Sequence, residues 1–447
     1  MKILLVTNFF PPTHKAGTEK RTFGYASELL RLGHEVQVVC AGIWDEGNQY
    51  WNGFSDEIFL DIPVRRIYLN WRLAPNPNEY LYRSPLIAEK FQIWLNDWQP
   101  DVVHITSCYT LTASVIKAIN DFGIPIVLTL TDYWFICPKH TLLRNNNNLC
   151  DGRTTSQECL DCMMLTKNRT YRQINRIVNI NQVSATLEWV SSKPVLSNLR
   201  GFRGMALDMN DRKEYLRKMI NIPEVVVAPS LHLRETVKNS GISRQIHLIH
   251  SGHDLTWLEP LNESRTNGTV RFGYIGQMTP IKGLHILLSA FKEELFVNQA
   301  TVSIYGNFED GSAYIDQIMS SSKGREKMIT FKGEFSHDQL GSVLSEIDIL
   351  IVPSIWRENN PRVIQEAFAS KTPVIGSNVG GIAEFVEHEI NGLLFNRNDE
   401  DDLCHQMYRI IDEPDLIQKL RAGIKPVKEI KTEVEELLEI YKNLITA

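Results

Sequence analysis

Ile349-Leu350-Ile351-Val352, followed closely by Trp356-Arg357-Glu358-Asn359-Asn360-Pro361-Arg362-Val363-Ile364-Gln365-Glu366-Ala367-Phe368-Ala369, is the stretch whose reading decides the fold. An apolar strand running through a polar loop into a helix is one unit of a parallel α/β sheet. Ligands of such sheets bind beyond the carboxyl ends of the strands, which puts this loop at the expected site. The two glutamates bracket the start of the helix. Pro361 is expected at the first helical position, which leaves the amides of Arg362 and Val363 at the positive helix end, where a diphosphate binds. Glu366 follows about six residues on, roughly 9 Å at 1.5 Å per residue, a reach suited to a ribose hydroxyl. One glutamate can then meet a sugar and the other a ribose.

The same alternation extends in both directions as two series. The first has strands expected near 2–7, 35–40, 64–69, 101–105 and 125–130, helices near 18–32, 84–98 and 110–122, and a closing strand–helix pair at 224–239. The second has strands expected near 270–275, 301–306, 329–332, 347–352 and 373–377. Its helix after Lys282 carries Leu284, Leu287, Leu288 and Phe291 at i, i+3, i+4 and i+7. The fold class expected is therefore α/β, with two Rossmann-like doubly wound domains and a ligand cleft between them. The limits read 1–252, with an insertion at about 138–220, then 253–425, then a C-terminal helix at 426–447 that packs back on the first domain.

Two further loops carry chemistry. Gly276-Gln277-Met278-Thr279-Pro280-Ile281-Lys282-Gly283 is a glycine-flanked turn after a strand, and it sets a lysine at a helix mouth beside a phosphate site. It lacks the spacing of a Walker loop. Pro11-Pro12-Thr13-His14-Lys15-Ala16-Gly17-Thr18-Glu19 reads as a flexible loop after the first strand, where Gly17 lets backbone approach a ligand. The aromatic group Tyr50-Trp51, Trp71, Tyr80 and Tyr82 is either packing or a set of faces for stacking sugar rings.

The chain has 447 residues and a formal net charge of −6, a balance that argues against a nucleic-acid backbone as the main partner. The N-terminus reads as a first strand and not as a signal peptide, because Asn8 and Pro11-Pro12 break its apolar run. No segment reaches bilayer-spanning length. The seven cysteines form an odd set without a secretory signal, and the expected compartment is the cytoplasm.

Taken together these elements resemble the retaining, nucleotide-sugar-dependent glycosyltransferases of family 4, which have the GT-B fold. The resemblance spans nearly the whole chain. It rests on the Glu358-x7-Glu366 run, Gly33-His34-Glu35-Val36, Ala228-Pro229-Ser230, Gly273-Tyr274-Ile275-Gly276, Asp348 through Pro353-Ser354, Pro373-Val374-Ile375-Gly376, Gly380-Gly381 and Asn391-Gly392-Leu393-Leu394. It implies that Glu366 binds the donor ribose, Glu358 a hydroxyl of the donor sugar and Lys282 the diphosphate. Gly17, Gly276, Gln277 and the Asn360-Pro361-Arg362-Val363 helix start complete the phosphate cradle. It implies no catalytic metal. The departing phosphate oxygen helps deprotonate the acceptor on the same face, so Lys282 is an electrophilic helper and not a base. The family commonly has Arg where Gln277 stands, a loss that Arg362 or Arg357 would make good. No catalytic histidine carries over, since Thr129-Leu130-Thr131-Asp132 and Thr106 stand where histidines are expected. Asp132 is left to position the acceptor hydroxyl.

The function expected is transfer of a hexose from a nucleoside diphosphate sugar, UDP-linked before GDP-linked, to a saccharide or lipid-linked saccharide in cell-surface glycan synthesis. The alternatives are a sugar-nucleotide 2-epimerase of the same fold and a catalytically silent sugar-nucleotide-binding scaffold. Cys137-x12-Cys150-x8-Cys159-x2-Cys162 has a count and spacing compatible with a structural zinc site, the other reading being four ordinary reduced thiols. Between 165 and 220 there are eleven Lys/Arg against four Asp/Glu, a local +7 that leaves −13 on the rest of the chain. That segment reads either as a surface that docks on anionic membrane at the inner face or as a solvated basic face.

Overall fold

The computed structural model describes residues 1–14, 16–167, 189, 207–258, 268–308 and 311–446. The chain forms two compact units, one of residues 1–250 with 430–447 and one of 251–429; the divisions fall at 250/251 and 429/430 instead of 252/253 and 425/426. Each unit is a doubly wound α/β sheet, as the alternation implied.

In the N-terminal unit the strands are β1 (Lys2–Val6), β2 (Glu35–Ala41), β3 (Trp51–Phe59), β4 (Ile62–Leu69), β5 (Val102–Ile105), β6 (Ile126–Thr129), β7 (Val225–Ala228) and β8 (His247–Leu248), in the order β3-β4-β2-β1-β5-β6-β7-β8. All pairs are parallel except β3 with β4. The central strands are buried along almost all of their length, which is why they are mostly Val, Ile and Leu. The C-terminal unit has β9 (Val270–Ile275), β10 (Ala300–Tyr305), β11 (Ile329–Gly333), β12 (Ile349–Val352), β13 (Val374–Ser377) and β14 (Gly392–Phe395), ordered β11-β10-β9-β12-β13-β14 and parallel throughout. Strand order reverses at β1/β5 in the first sheet and at β9/β12 in the second. Each reversal opens a crevice at the strands' carboxyl ends.

Several local expectations are corrected. Pro361 is the N-cap of the helix Arg362–Ala369, with φ −69° and ψ 96°, and not its first helical residue. Its extended ψ turns the chain out of the loop before the helix begins. Gly17 opens the helix Gly17–Arg31, capped by Ala16, and does not sit in a flexible loop. The helix expected at 110–122 is confined to Ser114–Asp121. The insertion is helical at Ser156–Lys167 and Leu207–Met219. Of its cations, residues 169, 172, 176, 193, 200 and 203 lie outside the described residues. Lys213 donates to Thr154 O at 2.6 Å, Arg217 to Ser240 O at 2.9 Å, and the buried Arg212 to Trp134 O. These three serve the fold of their own unit. Among the described residues no helix is long and apolar enough to cross a membrane.

The C-terminal helix Ile430–Thr446 lies on Gly17–Arg31 through a core that includes Tyr25, Leu29, Val434, Leu437 and Tyr441. Behind it, His104 is fully buried and shares hydrogen bonds with Tyr441 OH (Nδ1, 2.5 Å) and Thr129 Oγ1 (Nε2, 2.7 Å). Burial, assisted by the charge of Arg21, pulls this imidazole down to about 3 from an ordinary 6.5. An imidazole depressed in the folded state stays neutral while the unfolded chain takes up a proton, so stability is full above pH 6.5 and is lost as pH falls toward 3. Between pH 6.5 and 5 the loss from this residue is expected to be about 2 kcal/mol, at roughly 1.4 kcal/mol per pH unit. Denaturant unfolding at both pH values measures it. His104→Asn should flatten that component, and equal slopes in the two proteins would refute it.

Candidate functional site

The loops after β9 and β12 meet at the reversal in the C-terminal sheet. They are sewn together by Ile355 N donating to Ile281 O at 2.9 Å, and by Gly283, which has φ +75° and lies so close that a Cβ there would stand 1.9 Å from Pro353 O. No side chain fits at Gly283. The closure brings together two residues 76 positions apart: Lys282 Nζ is 2.6 Å from Glu358 Oε1. The same oxygen accepts from Ser354 Oγ and Trp356 Nε1, each at 2.9 Å. Glu358 is buried, Lys282 half-buried, and the ammonium stands 5.5 Å from the Trp356 ring centroid.

Gly380 and Gly381 press on this loop from the next helix. A Cβ on Gly380 would meet Glu358 O at 2.8 Å, and one on Gly381 would meet Asn359 O at 2.4 Å; Gly381 N donates to Glu358 O at 2.6 Å. The Glu358–Asn359 backbone is thereby fixed without side-chain bulk. From the loop the chain enters the helix Arg362–Ala369, whose first amides have no intrahelical acceptor. Glu366 on that helix is buried, and its Oε1 is 3.7 Å from Arg362 Nη2. Thr279 Oγ1, Arg357 Nε and Arg362 Nε are buried with no hydrogen-bond partner among the described residues. Such groups are exceptional in folded proteins, and three on converging loops suit a polar, anionic ligand.

Gly276 and Gln277 follow β9 directly. Gln277 is exposed, and its carbonyl accepts from Tyr274 OH at 3.0 Å. Asn360 and Val363 are half-buried beside Pro361. Ser354 and Trp356 were not read from sequence as site residues. The signal was their position, four and two residues before Glu358, but nothing in sequence says that both side chains turn onto its carboxylate.

In the N-terminal unit, Asp132 follows β6. Its Oδ1 accepts from Trp134 N at 2.7 Å and its Oδ2 is 3.3 Å from His140 Nδ1. His140, unread in the sequence, packs edge-on against Tyr109 with centroids 4.4 Å apart. Tyr109 lies 5.3 Å from Trp44, which stacks on Trp71 at 5.4 Å. This half-exposed belt beside a carboxylate is a surface on which a sugar ring can stack. Of the aromatic residues singled out in sequence, only Trp71 belongs to it. Tyr50 and Tyr82 are buried, Tyr50 OH donating to Ser84 Oγ at 2.9 Å, and Tyr80 packs edge-on against Tyr50. The four clustered cysteines are also in this unit, unbridged and half-buried.

Residues 269–413 match the family described as "Glycosyl transferases group 1", and residues 16–177 match the "Glycosyl transferase 4-like domain". The chain is 28% identical to an uncharacterized glycosyltransferase of Methanocaldococcus jannaschii over 92% of this chain and 90% of that protein. Among solved structures it is similar to sucrose-phosphate synthase of Thermosynechococcus elongatus, with TM-score 0.66, 16% identity and coverage of 100% and 99% of the two chains. It is also similar to HepE of Anabaena in complex with UDP, with TM-score 0.63, 17% identity and coverage of 99% and 100%.

Proposed function

The chain belongs to the family-4-like group 1 glycosyltransferases, and on that premise we propose that it transfers a hexose from a UDP-sugar, with retention, to a saccharide or lipid-linked saccharide. The fold is GT-B and the donor a nucleotide sugar. The observation that carries the finer reading is the buried Glu358 carboxylate, gripped by Lys282, Ser354 and Trp356 at the mouth of the helix that holds Glu366.

In this reading Glu358 accepts from a hydroxyl of the donor hexose. The diphosphate lies against the amides of Arg362 and Val363, with Lys282 and the unpartnered Arg357 and Arg362 Nε groups around it, and Glu366 takes the ribose. Positive charge set in place before the reaction lowers the energy of the departing UDP, whose phosphate oxygen removes the acceptor proton. Arg357 and Arg362 make up for the absence of Arg at Gln277. Asp132, oriented by Trp134 N and His140, positions the acceptor hydroxyl, and the Trp44–Trp71–Tyr109 belt takes the acceptor ring. UDP as the base is supported by the neighbour that binds it. The lipid-linked form of the acceptor and a peripheral place on the cytoplasmic membrane face draw on the cation excess at 165–220, most of which lies outside the described residues.

A thermal-shift panel of UDP, GDP, ADP and TDP with their sugars tests the donor. At about 100 times Kd a ligand adds about 2.7 kcal/mol, which is roughly 5–10 °C for units of this size. UDP and a UDP-hexose should give the largest shifts, with UDP release on adding acceptor. A larger shift with GDP overturns the base, and interconversion of donor sugars without acceptor replaces the transferase by an epimerase.

A further inference from the structure

Four cysteines separated in sequence line one small cavity of about 30 Å³ in the N-terminal unit, together with Leu142 and Arg144. Cys159 and Cys162 sit one turn apart on the helix Ser156–Lys167. Cys137 and Cys150 come from the loop before it, drawn together by Cys150 N donating to Leu142 O at 2.8 Å and by the Leu143–Leu149 bridge. We propose that Cys137, Cys150, Cys159 and Cys162 bind one Zn²⁺ as a four-thiolate structural site that fastens the loop carrying Asp132 and His140.

The charges around the cavity are those such a site needs. Zinc held by four thiolates keeps a net double negative charge, which is costly to bury unless cations stand beside it. Arg212 is buried next to Cys137 and Cys159 and has no carboxylate within ion-pair distance among the described residues. Its guanidinium donates to Trp134 O, and Asp132 is the carboxylate whose charge acts on it. Arg144 also lines the cavity, its Nη2 3.5 Å from Glu158 Oε1.

Among the described residues no three ligand side chains already stand in ligating geometry. Rotation about χ1 moves a cysteine sulfur without moving its backbone, and the cavity has about the volume of one water. That space suits a single tetrahedral ion and not an iron–sulfur cluster, and a set of four sulfurs selects zinc among single ions. The loop itself is held in a demanding shape, with His140 at φ 64° and Leu142 at φ 49°, conformations that persist only where surroundings impose them. Zinc would supply that constraint at Cys137, three residues from Asp132's partner Trp134 and three from His140.

Protein purified without added metal should contain about one zinc per chain, released in step with mercurial titration of four thiols. Cobalt exchanged for zinc should show thiolate-to-cobalt charge-transfer bands. Metal far below one ion per chain, with the four cysteines titrating as free thiols or recovered as disulfides, overturns the proposal, as does iron at stoichiometric level. Cys162→Ser should lower zinc content and raise the acceptor KM while leaving the thermal shift by UDP unchanged. If that variant fails to fold, metal analysis of the unaltered protein still decides. Because the UDP shift is read separately, failure of the zinc site and failure of the proposed transferase reading give different results.

Discussion

Glu358→Gln is expected to lower turnover of sugar transfer by roughly 10²- to 10³-fold while leaving the protein folded. Glutamine keeps the shape of the side chain and an acceptor oxygen for Lys282 Nζ, Ser354 Oγ and Trp356 Nε1, which all converge on Oε1. What it removes is the carboxylate charge. A hydrogen bond from the donor hydroxyl to a buried carboxylate is about twice as strong as one to a neutral amide, and Lys282 loses the anion that aims it. Alanine would leave Lys282, Ser354 and Trp356 without their common acceptor, so a loss seen with alanine alone would mix folding with chemistry. The measurement is kcat with a UDP-hexose and acceptor, set beside the thermal shift by UDP, which should largely persist in the Gln variant because, in the proposed reading, the helix amides, Arg357, Arg362 and Glu366 hold the nucleotide besides Lys282. Glu366→Gln serves as the contrast: it should weaken nucleotide binding and leave kcat at saturation close to the parent value. Undiminished turnover by Glu358→Gln would remove Glu358 from the sugar subsite.

How far this site could be read in the sequence follows from what each part depends on. β12 announces itself because a strand buried along its length must be apolar, and Ile349-Leu350-Ile351-Val352 is. The order of loop, Pro361 and helix is equally local. The Lys282–Glu358 contact is not local: it depends on β9 and β12 being neighbours at the point where strand order reverses, a property of the sheet that no window of sequence contains. The edge strand β3 was missed for the opposite reason. None of its residues is buried, it carries Asn52, Ser55, Asp56 and Glu57, and so it has no apolar pattern. Its turn to β4 places Leu60 and Asp61 at φ 48° and 65° where Gly or Asn would have signalled a hairpin. His140 escaped because its partner Asp132 is reached only through a loop of irregular backbone. Among the cysteines, spacing suggested a cluster, but only the folded loop shows that all four line one cavity and that Arg212 is buried beside it.

Glu433→Ala is expected to be the most destabilising single change in the N-terminal unit, at about 3–5 kcal/mol. Arg21 and Glu433 are both buried, and the guanidinium donates to the carboxylate and, through Nε, to Tyr25 OH at 2.6 Å; Tyr25 OH donates in turn to Glu433 Oε1 at 2.5 Å. Burial alone would pull the Arg21 guanidinium down, yet Glu433 and Tyr25 hold it above its ordinary value, so it stays charged at every accessible pH. With Glu433 gone, that charge is left in the core without a counterion, and the helix Ile430–Thr446 loses its polar tie to Gly17–Arg31. The change should lower the transition of this unit by roughly 6–20 °C, read by calorimetry or by denaturant unfolding. The double variant Arg21→Met/Glu433→Leu separates the cost of the orphaned charge from the worth of the pair, because apolar residues of similar volume often replace a buried ion pair at little cost. It should recover most of the lost stability. A double variant as unstable as Glu433→Ala would mean that the triad's geometry, and not the unpaired cation, holds the C-terminal helix in place.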